Sequence, residues 1–439
     1  MFVYYLQLAL HSFRRSPGLT LLMVVIMSVG VASSMTTYAV FRAVSGNPLP
    51  DKSEQLFVPQ IDNLGPQNGS TRNHLPDALT YSDAMALMRA HAATRQAAIY
   101  PVLENILPQD GTHRPFSASG YATYADFFAM FEAPFLYGSG WSDDDDRSQA
   151  NVIVISRHLN QRLYGDASGV GQTLDVDGHD YRIVGVVDDW NPQPRFYDVN
   201  NSTGFGDAPD FYLPFTRAIA MQTGSNGNNN CAGSIKPLTP GWDGWLKSEC
   251  VWVSLWVELP DAAAEQQYSQ FLSNYAAEQQ RSGRFNWPAN VRLFALTDWL
   301  DHEGTVPPET RVSLLVALGF LLVCLVNTTG LLLAKIMRRH VEIGVRRALG
   351  ASRGAIYRQF VAEAAAVGVA GGVLGLSFTA LGLRGIDLLF DPAIAKLAQL
   401  SPAWMLLTIL VAILATIIAA LYPAWRAAHV QPSLQLKSA

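Results

Sequence analysis

The stretch Val341-Glu342-Ile343-Gly344-Val345-Arg346-Arg347-Ala348-Leu349-Gly350-Ala351-Ser352 is short and strongly basic, and it lies between two long apolar segments. Residues 341–349 read as a helix of about two and a half turns. Glu342 falls in its first turn and Arg346 and Arg347 in later ones, the order that the helix dipole favours. Glu342 and Arg346 are four apart and can pair on one face. Gly350 supplies a C-terminal cap. Ser352 reads as the N-cap of the next helix, which runs on through Ile356, Phe360 and Val361. Ile343, Arg347, Leu349 and Ala351 are left for contact with another surface. Positive charge beside a membrane accounts for the arginines. It does not account for a capped helix that also carries Ile343 and Leu349.

Working outward, four segments of about 23 residues are nearly free of charge, at 19–41, 312–334, 360–383 and 403–425. Each is long enough to cross a hydrocarbon core of about 30 Å, and in lipid the backbone can satisfy itself only as helix. The mean hydropathy of +0.13 averages these runs with a polar remainder. Residues 43–310 hold 32 of the 36 acidic residues but 16 of the 31 basic ones, which leaves 4 acids and 15 bases outside that stretch. Arg14 and Arg15 precede the first segment; Lys335, Arg338, Arg339, Arg346, Arg347, Arg353 and Arg358 lie between the second and third; Arg426 and Lys437 follow the fourth. A Lys/Arg excess marks the cytoplasmic flanks. The expected fold class is therefore a membrane protein with four transmembrane α-helices and a large α+β periplasmic domain inserted between helices 1 and 2, with both termini cytoplasmic. The expected divisions are an amphipathic cytoplasmic helix at 1–18, spans at 19–42, 311–335, 359–384 and 403–425, the exported domain at 43–310, a cytoplasmic loop at 336–358, a short periplasmic loop at 385–402 and a cytoplasmic tail at 426–439. The first span is too long for the apolar core of a cleaved signal peptide, and its loss would turn the basic C-terminus outward.

Within the exported domain, residues 82–97 show helical periodicity with Ser82 or Asp83 as N-cap, and 124–131 reads as a second helix. Residues 151–156 read as strand and 157–164 as helix. Residues 172–176 and 181–188 form a hairpin about Asp177-Gly178. The stretch 200–248 reads as loop. Residues 250–259 return to strand, 261–281 form a polar helix and 291–296 a last strand. The alternation predicts an α+β domain of one lobe or two.

Cys231 and Cys250 flank an Asn/Gly-rich insertion, and a disulfide closing that loop is expected in an oxidising compartment. Cys324, inside the second span, reads as packing. In the third span, Gly368 and Gly372, and Gly371 and Gly375, each make Gly-x-x-x-Gly, a packing face for an unspecified helix of the bundle or of a second protomer. The acidic run 143–146 lacks the ligand spacing of a calcium loop and reads as a solvated turn. His11, His74, His91 and His113 are scattered, and no metal site is expected. There is no Gly-x-x-x-x-Gly-Lys-Ser/Thr phosphate loop and no Gly-x-Ser-x-Gly elbow. The acidic exported domain argues against a nucleic-acid partner.

The residues at 342–352, Glu-Ile-Gly-Val-Arg-Arg-Ala-Leu-Gly-Ala-Ser, resemble the signature of MacB/FtsX-type permeases, the membrane halves of the type VII ABC transporters. Asp126-Phe-Phe-Ala-Met-Phe-Glu-Ala-Pro-Phe-Leu-Tyr-Gly-Ser-Gly-Trp and Asn151-Val-Ile-Val-Ile-Ser resemble the family's periplasmic core domain, and Pro423-Ala-Trp-Arg-Ala-Ala its C-terminal end. The insertion at 221–250 matches no part of the pattern. The resemblance implies that Glu342, Ile343, Gly344, Arg346, Arg347, Ala348, Leu349, Gly350 and Ala351 couple the chain to an ABC ATPase. It also implies that ATP and magnesium are held by that ATPase with no cofactor on this chain, and that a second permease chain, identical or related, completes the membrane unit. A periplasmic membrane-fusion protein and an outer-membrane channel are further partners that such a permease admits. The implied function is mechanotransmission in a bacterial inner membrane, which drives export or extraction of an amphiphilic peptide, lipoprotein or drug. The alternatives are an FtsX-like transducer that regulates a cell-wall hydrolase, and a membrane-anchored periplasmic enzyme.

Overall fold

The structure is a computed structural model that describes residues 16–68, 75–108, 114–201, 204–231, 239–306, 308–389 and 402–429. Residues 1–15 of the expected amphipathic helix at 1–18, most of the loop 385–402 and the tail beyond residue 429 lie outside the described residues, and Pro17 and Gly18 already belong to the first long helix. The chain divides into two compact units, one made of Met1–Val44 with Val306–Ala439 and the other of Ser45–Thr305, here called the head.

Among the described residues, the first unit contains four helices long and apolar enough to cross a membrane. These are α1 (Pro17–Ser45), α10 (Pro308–Arg338), α12 (Arg353–Leu389) and α13 (Pro402–Ala428). Three of them begin on proline, whose missing N–H would be unsatisfied there in any case. Pro308 opens the second long helix. Between α10 and α12 lies the short helix α11 (His340–Ala348). The long helices meet through small clusters, one of Met23, Leu332, Ala364, Val367 and Ala420 and another of Met27, Val31, Met35, Ala412 and Ala415. Hydroxyls reinforce the contacts: Ser34 donates to the Ala317 carbonyl at 3.0 Å and Thr329 to the Ala419 carbonyl at 3.1 Å. Cys324 is buried against Gly30, where an added Cβ would come 2.9 Å from its sulfur. By contrast, α10 leaves Leu315, Val316, Leu322 and Val326 exposed, a surface suited to lipid or to another helix.

The head is built on one sheet. Its strands are β1 (Leu56–Ile61), β2 (Leu79–Thr80), β3 (Arg95–Leu107), β4 (Phe116–Thr123), β5 (Phe135–Gly138), β6 (Val152–Ser156), β7 (Thr173–Val176), β8 (His179–Val187), β9 (Phe211–Pro214), β10 (Val251–Glu258) and β11 (Val291–Ala295). Their order is β11-β1-β10-β3-β4-β9-β6-β8-β5, with β2 on β10 and β7 on β3 and β8. The β4–β9 and β6–β8 pairs are parallel and the remaining pairs antiparallel. One connected sheet makes the head a single lobe. One face packs beneath α2 (Tyr81–Ala90) and α8 (Ala262–Arg281), through Leu87, Leu255, Leu272 and Tyr268. The other holds an aromatic cluster of Phe127, Phe131, Phe196, Tyr197, Tyr212 and Trp256.

Local chemistry explains several element ends. The Asp177-Gly178 hairpin has both central residues at positive φ, 51° and 83°, the turn whose twist suits paired strands. The helix expected over 82–97 is shorter. Thr80 caps it by accepting the Asp83 N–H at 3.0 Å, and His91 ends it at φ 46°, after which Arg95 enters β3. The stretch 200–248 is not all loop: β9 sits inside the sheet between β4 and β6, α6 (Phe215–Ala220) precedes the insertion, and α7 (Trp242–Leu246) lies within it.

Candidate functional site

The site begins with α11. Leu349 closes the helix, Gly350 at φ 99° reverses the chain, and the Ala351 N–H donates to the Arg346 carbonyl at 3.0 Å. Ser352 then accepts the Ala355 N–H at 3.2 Å and starts α12. The apolar residues divide between two faces. Ile343 is not left for an outside partner: it is 5% exposed and packs with Ile336, Ile356, Phe360, Ala424 and Ala427. Gly344 is buried beside it. Arg347 turns back too, donating to the Ala428 carbonyl at 3.2 Å. Val341, Val345 and Leu349, spaced by four, form the outward stripe, and Leu349 is 83% exposed. Ala348 and Gly350 are exposed beside them, and Ala351 is half-buried.

A set of charges joins α11 to its neighbours. Arg346 pairs with Glu342 at 2.7 Å, and Arg339 with Glu342 at 3.2 Å. Arg339 also reaches Glu363 of α12 at 3.1 Å, and Lys335 of α10 lies 3.5 Å from the same carboxylate. Gln359 donates to Glu363 at 3.3 Å and accepts from Arg346 at 3.2 Å. Only the Glu342–Arg346 pair was legible from spacing. The signal for the rest was a lone carboxylate: Glu363 is the only ionisable residue in 360–383.

The two glycine pairs of α12 face different helices. A Cβ on Gly368 would lie 2.3 Å from the Thr416 hydroxyl and 2.8 Å from Ile413 Cα, and one on Gly372 3.1 Å from Ile409 Cα, all on α13. Gly371 and Gly375 look instead toward Met27, Ser28 and Val31 of α1, at ordinary contact distances of 3.4 Å or more. Both stripes are thus taken up within the bundle.

In the head, Cys231 and Cys250 are joined by a disulfide. Among the described residues no group of His, Cys, Asp and Glu could hold a metal ion. The acidic run is not a solvated turn. It forms α4 (Asp143–Ser148), opened by a reciprocal cap in which Ser142 accepts the Asp145 N–H and Asp145 accepts the Ser142 N–H. Asp146 is 5% exposed and accepts the Ala125 N–H at 2.8 Å and the Trp141 indole N–H at 3.0 Å. Burial pushes its carboxyl up to about 7, against the pull of those two donors. Because the folded value lies above the ordinary 3.8, the folded head holds a proton that the unfolded chain has released between these values. Stability then falls as pH rises from about 4 through 7, by at most about 1.4 kcal/mol per pH unit from this group. Burial also pushes Glu303 up to about 7, so the comparison is with a variant. Asp146→Asn is expected to lose its share of the slope in a denaturant titration at pH 4 to 7; parallel curves for the two proteins would refute the assignment.

The geometry defines a class: a four-helix membrane unit with a large α/β domain inserted after its first helix and a short capped helix between its second and third. Models of known families match in that order. The MacB-like periplasmic core domain matches residues 20–274, and the FtsX-like permease C-terminal domain matches 314–432. The chain belongs to this family of MacB/FtsX-type permeases. It is 24% identical over 386 residues to the macrolide export ATP-binding/permease protein MacB of Vibrio parahaemolyticus, a match covering 85% of this chain and 50% of that one. The protein of the same name from Escherichia coli K12 is 23% identical over 372 residues, covering 82% and 50%. The chain spans about half the length of these curated relatives. The periplasmic region of MacB from Actinobacillus actinomycetemcomitans is 13% identical with a TM-score of 0.36, covering 58% of this chain and 94% of that one.

Proposed function

We propose that the chain is the membrane subunit of an ABC transporter and that α11 is the element its ATPase grips. The observation that carries this reading is the outward stripe of Val341, Val345 and Leu349 on a short helix whose own core contacts are already met by Ile343. An apolar stripe beside arginines, on a loop with no lipid requirement, fits a groove on a protein partner. The sequence has no phosphate loop, so ATP and magnesium belong to a partner subunit or domain. The Lys/Arg balance supports a cytoplasmic loop at 336–358, cytoplasmic termini and a periplasmic head. The helices α1 and α10 connect almost directly to the head, which begins at Ser45 and ends at Thr305. ATP-driven movement of α11 would therefore be delivered to the head, which handles an amphiphilic cargo on the far side. A second permease chain completes the unit, and the exposed face of α10 is available to it. The size of the head supports export rather than simple activation of a hydrolase.

Leu349→Asp tests the docking reading, because the side chain is exposed and its loss disturbs no core. It is expected to weaken association with the co-purifying ATPase at least about tenfold, roughly 1.4 kcal/mol, while thermal unfolding is unchanged. Wild-type association by the variant in a reconstituted complex would defeat the reading.

A further inference from the structure

The polar contacts between α11, its N-cap Arg339 and α12 close into a ring. Glu363 accepts from Arg339, Arg339 holds Glu342, Glu342 holds Arg346, Arg346 donates to Gln359, and Gln359 donates back to Glu363. Lys335 adds a spur from Glu363 to the Thr20 hydroxyl of α1, at 3.4 Å. The side chains of Glu363 and Lys335 are each 3% exposed, in helices long and apolar enough to cross a membrane. Buried ion pairs contribute little net stability relative to apolar packing of the same volume. What they supply is one discrete arrangement, since a shift that breaks a bond leaves a charge uncompensated. An apolar contact between the same helices would slide at small cost. The ring does not permit that: if α11 rotates or translates, α12 must follow, and Lys335, paired with Glu363, draws α10 with it.

We propose that Glu363 is the positioning residue of a rigid joint, and that this joint passes displacement of α11 into α10, the helix that leads to the head. The proposal rests on the reading of α11 as the ATPase-docking element. Glu363, its side chain 3% exposed, presents no surface to the ATPase. It acts by holding Arg339 and Lys335, and through Arg339 the carboxylate of Glu342. The joint therefore separates two properties that the docking stripe alone would leave linked. Binding of the ATPase belongs to Val341, Val345 and Leu349, whereas transmission belongs to Glu363 and its ring.

The test uses the full chain reconstituted with its ATPase, with an environment-sensitive dye on Leu103→Cys, an exposed position of the head. Three quantities are read for each variant: ATPase association, ATP-dependent change in dye fluorescence, and thermal unfolding. Glu363→Gln keeps the shape and removes the charge. It is expected to retain ATPase association within about twofold while the ATP-dependent dye signal falls at least about fivefold, and Glu363→Asp is expected to recover part of that signal. Gln359→Leu opens the ring without stranding a buried carboxylate and serves if Glu363→Gln fails to fold; the same split is expected of it. A full dye signal in a folded ring variant overturns the proposal and leaves the docking reading intact. Loss of signal that only tracks lost thermal stability, with no recovery in Glu363→Asp, also overturns it by reducing the ring to a structural brace. If the wild type neither binds the ATPase nor responds to ATP, the docking reading falls and this proposal falls with it.

Discussion

Arg284→Met is expected to lower the unfolding temperature of the head by about 10 °C. The arginine follows α8 and lies between two carboxylates. Its guanidinium meets Asp83 at 2.5 and 2.8 Å and Glu249 at 2.7 and 2.8 Å. Thr80 donates to Asp83 at 2.7 Å, and so does the Tyr275 phenol. The Asp83 side chain is 1% exposed, so loss of the cation strands a buried negative charge. Breaking a buried pair in this way costs about 3–5 kcal/mol. At about 2–4 °C per kcal/mol for a domain of this size, that cost gives the stated shift. The clamp also explains the local architecture. It ties the start of α2 to the end of α8 and to the residue before Cys250, so it fixes one end of β10 and the anchored end of the insertion. Lysine should not rescue it, because a single ammonium cannot satisfy two carboxylates with paired bonds. Calorimetry of the full chain in detergent measures the effect; a shift below about 2 °C for Arg284→Met would refute the clamp.

Gly368→Val is expected to separate α12 from α13. Its Cβ would press on Ile413 Cα at 2.8 Å and the Ala412 carbonyl at 3.0 Å, and backbone atoms can yield only if the helices part. Overpacking of this kind costs about 1–3 kcal/mol or more. In a bilayer such contacts depend on close backbone approach rather than on the hydrophobic effect. Cysteines placed at Ala364 on α12 and Ala420 on α13, which share one buried cluster, should cross-link in the parent chain and fail to do so with Gly368→Val. Gly371→Ala is the control. Its added Cβ meets Met27 at 3.4 Å, an ordinary contact, so cross-linking should persist. Equal loss in both variants would show that the glycines do not discriminate between neighbours.

These two cases mark the boundary of what was legible. The glycine stripe was plain in the sequence, but its two registers look alike there, and only packing shows that one faces α13 and the other α1. The Arg284 clamp joins residues about 200 positions apart, and no local pattern announces it. In 143–146, four aspartates in a row read as solvated because composition averages over side chains. The fold sends Asp146 inward against Trp141 and leaves Asp144 exposed. The strands β3 and β4 were not read from the sequence. Pro101 and Glu104 interrupt the alternation of β3, and its pairing with β4 and β10 supplies what local propensity does not.

What the sequence determined by itself was the set of four membrane-length helices and the insertion of a large domain between the first two. The four long apolar runs, the charge balance on either side of them and the capped basic loop are local or cumulative properties. Hydropathy, helix length and capping follow from neighbours only a few residues apart. The tertiary structure decided which face of each element is used. Ile343 turns inward while Leu349 stays out, Glu363 finds Arg339 and Lys335, and the acidic run buries one carboxylate. Those outcomes depend on partners far away in the chain, because burial and charge pairing are settled by whichever surfaces come to rest against one another.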